Sequence, residues 1–227
     1  MTTAGRPRLS TKKRPGETAR EEILDAAAEL FTTRGYTNTS TRMIAEAVGM
    51  RQASLYHHFA TKDELLDALL SGTVDAPLEV AQAIHASASR PEVKMYALAL
   101  FDAGQLSRSR WNLGALYLLP ELREDRFETF RAHRYALMNR YAEIAAEMLE
   151  YVDGTLPGTE ELPFRLVETV VNGRADAEND RPLAAPDYAR VIAEAAVRVL
   201  GWTGSVDALH ALHAEAVELL ADAPVRA

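Results

Sequence analysis

Three observations predict an all-α chain in two parts. Apolar residues recur at helical spacing along nearly the whole sequence, no run alternates as a strand would, and glycine, proline and polar clusters fall where helices should end. The 227 residues, 48% of them hydrophobic, suffice for one large or two small domains with a buried core. The absence of cysteine excludes a disulfide scaffold, thiolate metal sites and a cysteine nucleophile. No apolar run approaches the roughly 20 residues needed to cross a bilayer. The N-terminal run is basic with no apolar stretch behind it, so it does not read as a secretory signal. The expectation is a soluble, cytoplasmic protein with no membrane partner.

The first helix is expected near Thr18–Arg34, with Ile23, Ala26, Ala27, Leu30 and Phe31 on one stripe and Gly35 as its stop. A short helix follows at Thr41–Val48, then a turn at Gly49-Met50, then a second short helix at Arg51–Phe59. Thr61 to Glu64 is a capping box opening the next helix, which Pro77 interrupts or kinks. Pro91 starts a helix whose residues from Val93 to Leu106 are apolar almost all round, the mark of a central element. Trp111–Leu119 is an apolar piece ended by Pro120, and Asp125–Tyr151 a long amphipathic helix. Gly and Pro make 153–163 a loop. Helices at Leu162–Ala175 and Asp187–Leu200 follow, and Ser205 caps a last one to about Ala221. Read as domains, 1–17 is a basic flexible arm, 18–75 a small head and 76–227 a larger body.

Charge separates head from body. Residues 1–62 hold ten Lys and Arg against six acids, a net +4, so the remaining 165 residues carry −12 of the total of −8. A basic head on an acidic body can approach a polyanion while the body stays repelled.

Two short helices joined through a glycine form a helix-turn-helix pattern. Ala45 permits close approach of the two, Gly49 takes the turn, and Ile44, Val48, Leu55 and Phe59 supply the core. Arg51, Gln52, Ser54, Tyr56 and His57 are left pointing outward, a donor-rich face of the kind that enters a major groove about 12 Å wide. Arg51 suits guanine edges and Gln52 adenine. Thr41, Arg42, Tyr56 and Lys62 suit phosphates, which set register. The same pattern would also serve a plain helical hairpin with a polar outer face.

The run Ile44-Ala45, Gly49, Ser54 to Phe59 and Lys62 to Leu65, preceded by Ile23, Ala27, Leu30, Phe31 and Gly35-Tyr36, resembles the DNA-binding head of the TetR family of bacterial repressors over about residues 18–70. The body resembles the family in layout alone. Ala53 stands where many members have glycine, and Val48 is larger than the alanine common before the turn, so Ala53 joins the expected DNA-facing set. The resemblance implies an N-terminal three-helix DNA-binding head, a larger α-helical ligand-binding and dimerisation domain, and a homodimer on a palindromic double-stranded operator. It also implies release by a small-molecule effector that shifts the helix beginning at Lys62. Half-sites would lie roughly 34–36 Å apart or a multiple of that. Arg6, Arg8, Lys12, Lys13 and Arg14 are expected to add phosphate or minor-groove contacts. The alternatives are an activator, or an all-α ligand-binding protein that no longer reads DNA.

In the body, Phe164, Val167, Val170 and Val171 form one stripe and Tyr188, Val191, Ile192, Ala195 and Val199 another. They suit either a four-helix dimer interface or intrachain core, and the interface is the expected role. On the long helix, Arg134 sits within an apolar stripe, where a guanidinium must be paired or face a cavity. One reading is a structural pair with Asp102 or Glu168. The other is a pocket lined by Phe101, Trp111, Tyr117, Phe130 and Met138, with Gln105, His133, Arg134 and Asn172 as polar anchors. Asp207, His210 and His213 share a helical face without a convincing further ligand, so no metal is expected. No catalytic motif is present, and neither a catalytic residue nor a cofactor is expected.

Overall fold

The computed structural model of the chain describes residues 14–150, 152, 155–178 and 187–223, with side chains except those of 176–178. Every regular element among the described residues is helical. The chain divides into two units at Leu69 and Leu70, where the sequence reading placed the boundary after residue 75.

The first unit holds α1 (Ala19–Arg34), α2 (Thr41–Val48), α3 (Gln52–Tyr56) and the start of α4 (Lys62–Ala86). Thr18 caps α1 in a reciprocal capping box with Glu21. Ile23, Ala26, Ala27, Leu30 and Phe31 are buried, which is the stripe read from the sequence. Ser40 caps α2 by accepting from the Met43 amide at 3.2 Å. Gly49 ends α2 at φ 80°, a left-handed conformation open to glycine without steric penalty, and its N–H closes back on Ala45 and Glu46 carbonyls. Ile44, Ala45, Val48, Leu55 and Phe59 are buried together. Thr61 caps α4 through the Glu64 amide, but the Glu64 carboxylate accepts from Ala60 N–H at 2.8 Å instead of from Thr61.

The second unit holds the rest of α4, α5 (Pro91–Arg108), α6 (Glu128–Leu149), α7 (Leu162–Glu178), α8 (Tyr188–Val199) and α9 (Val206–Ala221). Helix α5 is central and packs against α6, α7, α8 and α9, burying Val93, Met95, Tyr96, Leu98 and Leu106 among others. Between α5 and α6 the chain runs through three short 3-10 turns, Leu113–Leu118, Pro120–Arg123 and Asp125–Phe127, so α6 starts at Glu128 rather than Asp125. Arg131 anchors this stretch by donating to the Leu122 and Glu124 carbonyls at 2.6 and 2.7 Å.

Helix α4 runs on through Pro77. Proline has no N–H, so the Thr73 carbonyl one turn earlier loses its helical donor. Gln105 of α5 supplies a substitute, its Nε2 donating to that carbonyl at 2.9 Å. An internal proline is thereby tolerated because a neighbouring helix restores the missing bond.

Four of the residues expected at a dimer face are buried within the chain's own core. Phe164, Val167, Val170 and Ile192 are each no more than 5% exposed and belong to the cluster around α5. The apolar stripe of α7 therefore points inward, whereas on α8 only Ile192 of the expected set does: Tyr188 and Ala195 are partly exposed, and Val191 and Val199 are exposed on its outer side.

Candidate functional site

Helix α3 buries only Leu55. Arg51, Ala53, Ser54, Tyr56 and His57 are exposed, and Gln52 is half-buried. Its outer side is organised by a hydrogen-bonded triangle. Gln52 Nε2 donates to Thr41 Oγ1 at 2.9 Å and to Tyr56 Oη at 3.2 Å, and the two hydroxyls lie 3.1 Å apart. The start of α2 is thus tied to α3 through side chains that also face outward. Arg42, on the exposed side of α2, forms an i,i+4 pair with Glu46 at 2.9 Å. Helix α3 ends at Tyr56, three residues short of the expected Phe59; the His58 and Phe59 amides close on the Leu55 carbonyl in a turn.

Two further residues expected at DNA, Lys62 and Arg14, are also engaged within the chain. Lys62 Nζ donates to the Tyr36 and Thr39 carbonyls at 3.0 and 3.1 Å and lies 4.0 Å from the centre of the Tyr36 ring, so it braces the loop before α2. Arg14 pairs with Asp25 at 2.9 Å and Glu29 at 2.6 Å and donates to the Ala47 carbonyl. Arg6, Arg8, Lys12 and Lys13 lie outside the described residues.

The body contains a cavity of about 750 Å³ between the 3-10 turns, α6 and α7. Of the expected ligand-facing residues, Tyr117, Phe130, Arg134, Met138 and Asn172 line it. Phe101, Gln105, Trp111 and His133 do not. Phe101 packs against the core, Gln105 serves the Pro77 gap, Trp111 lies under the Arg110 guanidinium, and His133 pairs with Asp75 at 2.8 Å near the surface. Arg134 is paired with Glu168, the second of the two partners weighed for it, and sits over the Tyr117 and Phe164 rings at 5.5 and 5.3 Å. Its Nε is buried with no hydrogen-bond partner.

Asp102 is not Arg134's partner. It is buried and accepts from Tyr141 Oη at 3.1 Å. Burial raises its pKa to about 7, against the Tyr141 hydrogen bond and with a further push from Glu168. Among the described residues no three His, Asp or Glu stand close enough to hold a metal ion, and His213 faces Tyr96, with Nδ1 3.3 Å from Oη.

A model of the family described as bacterial regulatory proteins, tetR family, matches residues 23–69, which are α1 to α3 and the start of α4. The chain is 53% identical to that in the crystal structure of Mycobacterium smegmatis AmtR, over 93% of this chain and 98% of that one, with a TM-score of 0.85. The chain belongs to the TetR family. TetR-family regulators bind DNA, form dimers and are not enzymes. The transcriptional repressor KstR2 of Mycobacterium tuberculosis is 48% identical over 56 residues, 25% of this chain and 28% of that protein. The chain thus matches little more than a quarter of the length of that curated relative. The structure of the ketosteroid regulator KstR2 of the same organism covers 84% of this chain and 97% of its own at 23% identity and a TM-score of 0.65, a likeness of fold. No described helix is long and apolar enough to cross a membrane.

The TetR-family head was legible because its motif is local. The cavity of the body was half missed. Gly114, Leu119, Leu122, Arg123, Arg165 and Glu168 all line it. One signal was available: Gly114 is the residue where a Cβ would come 2.2 Å from Val171 Cγ2, and a glycine inside an apolar segment marks such close approach. Asn112 closes the same junction by donating to the Val171 carbonyl at 2.9 Å.

Proposed function

We propose that the protein is a cytoplasmic, homodimeric transcriptional repressor that holds a roughly palindromic operator and lets go when a small molecule fills the body cavity. The observation that carries this reading is the exposed outer side of α3, where Arg51, Ser54, Tyr56 and His57 surround a Gln52 already oriented by Thr41. Arg51 reads guanine, Gln52 reads adenine, and Thr41, Arg42 and Tyr56 hold phosphates. Ala53 brings a methyl group to the same side, suited to a thymine methyl. One head offers too few base contacts for a specific site, so two act together, and the outer side of α8, with Val191 and Val199, supplies an apolar surface for pairing.

Coupling runs through α4. Tyr117, which lines the cavity, donates to Thr73 Oγ1 of α4 at 2.6 Å. A ligand that displaces Tyr117 moves the helix whose first turn is braced by Lys62. Coupling of this kind is typically about 1–3 kcal/mol, or 5–150-fold in operator affinity. The test is a footprint of the full-length protein on DNA flanking its own gene. Two protected half-sites related by a dyad and about one helical turn apart support the reading; unprotected DNA at all salt concentrations overturns it.

A further inference from the structure

Four guanidinium groups line the cavity, those of Arg123, Arg131, Arg134 and Arg165, against the single carboxylate of Glu168. Arg131 is committed to loop carbonyls. The other three are not braced in that way, and two of them converge. Arg134 holds one oxygen of Glu168 and Arg165 holds the other, at 2.9 Å, so a single carboxylate is gripped from both sides by two helices. Even so, the buried Nε of Arg134 has no partner. A buried guanidinium donor left unpaired is unfavourable, and planar guanidinium forks match carboxylate geometry better than any other side chain does. The remaining wall is mostly apolar, with Leu118, Leu119, Leu122, Phe130, Met138 and Val171, and carries Tyr117, Tyr135 and Asn172 as its other polar side chains. A neutral apolar ligand would leave the guanidinium groups of the lining sharing the one carboxylate of Glu168, and the Arg134 Nε still unpaired.

We infer that the cavity takes a small carboxylate with an apolar body, and that Glu168 is an internal stand-in for the ligand's anion, displaced from Arg134 and Arg165 when the ligand enters. This rests on reading the cavity as the effector site. It accounts for the only acid in the lining being the one clamped by both arginines. It also explains why the guanidinium of Arg134 lies over the aromatic faces of Tyr117 and Phe164, which hold it in place whether or not Glu168 is present.

The test uses the full-length protein and matched probes: decanoate against decanamide, and 4-phenylbutyrate against 4-phenylbutyramide, measured by thermal shift and calorimetry. A ligand that binds only the folded state raises the melting temperature. Expected are binding by the carboxylates at least about tenfold tighter than by the amides, ~1.4 kcal/mol, and loss of that preference in Arg134→Met. The second variant, Glu168→Gln, keeps the shape of the side chain and one acceptor oxygen, and sets an NH2 group against the other guanidinium. It is expected to tighten carboxylate binding by about tenfold while leaving the amides unchanged. A simply structural ion pair would not give that sign. Amides that bind as well as carboxylates overturn the inference and leave the effector reading standing. Weaker carboxylate binding in Glu168→Gln overturns the stand-in role. No binding by any probe at millimolar concentration overturns the inference as well, and operator binding by the same preparation shows separately whether the regulator reading holds.

Discussion

In the proposed complex Gln52 meets DNA with its amide already donating to Thr41 and Tyr56. To bond an adenine edge on both sides it must exchange those donors, and what it gains is net of what it gives up. Its contribution is therefore to choice of sequence more than to affinity. Gln52→Ala is expected to weaken operator binding by about 1–3 kcal/mol and leave binding to unrelated DNA unchanged, read by fluorescence anisotropy on both duplexes. At the same scale, Asp102 gives the body a pH dependence. Its folded pKa of about 7 lies above the unfolded value, so its favourable contribution is complete below roughly pH 4 and is lost as pH rises toward 7. Asp102→Asn should remove that slope: melting temperatures of variant and wild type converge in acid, and the variant is the more stable at pH 8. Single residues were the least legible level in the sequence. Arg165 carries acids at i−4 and i+3, Glu161 and Glu168, as a solvated helix face does. Glu168 was legible as one of two candidate partners for Arg134, but nothing along the chain marks it as also held by Arg165 and turned into a cavity.

Elements were legible where their ends carry local chemistry. Gly49 turns the chain and Ser205 caps a helix as read from the sequence, and Thr18 and Ser40 cap two more by the same local chemistry. What escaped is what one helix does for another. Gln105 reads as a polar group on an apolar helix and so as a ligand anchor; its actual role follows from a proline on α4, distant in sequence. Likewise the Phe164, Val167 and Val170 stripe has one periodicity whether it meets its own chain or a second copy. Helix α4 accordingly depends on two neighbours, Gln105 at the Thr73 carbonyl and Tyr117 at its hydroxyl. Gln105→Leu leaves a carbonyl unpaired and should destabilise the fold by about 1–3 kcal/mol in urea unfolding. Tyr117→Phe should bind carboxylate probes as the wild type does but release the operator less readily. Release identical to wild type would show that coupling takes another route.

For the whole molecule, charge is the organising quantity: residues 1–62 carry net +4 and residues 63–227 carry −12. Arg14 is already neutralised by Asp25 and Glu29, so any arm contribution to DNA comes from Arg6, Arg8, Lys12 and Lys13. Each phosphate they neutralise adds about −0.9 to the slope of log affinity against log salt, and deletion of residues 1–13 should flatten it. In the proposed dimer the outer side of α8 is the contact surface. Val191→Asp puts a charge on a side chain that is 50% exposed in the single chain and should yield a folded monomer by analytical ultracentrifugation, with operator binding lost alongside. The claim on which all of this depends is that the outer side of α3 faces DNA. Ser54 lies in the middle of that side and is exposed, so Ser54→Glu disturbs no packing yet sets a negative charge against the phosphates and base edges. Anisotropy with operator DNA measures it directly. The expected result is loss of binding with helical content and dimer mass unchanged; operator affinity equal to wild type would contradict the account.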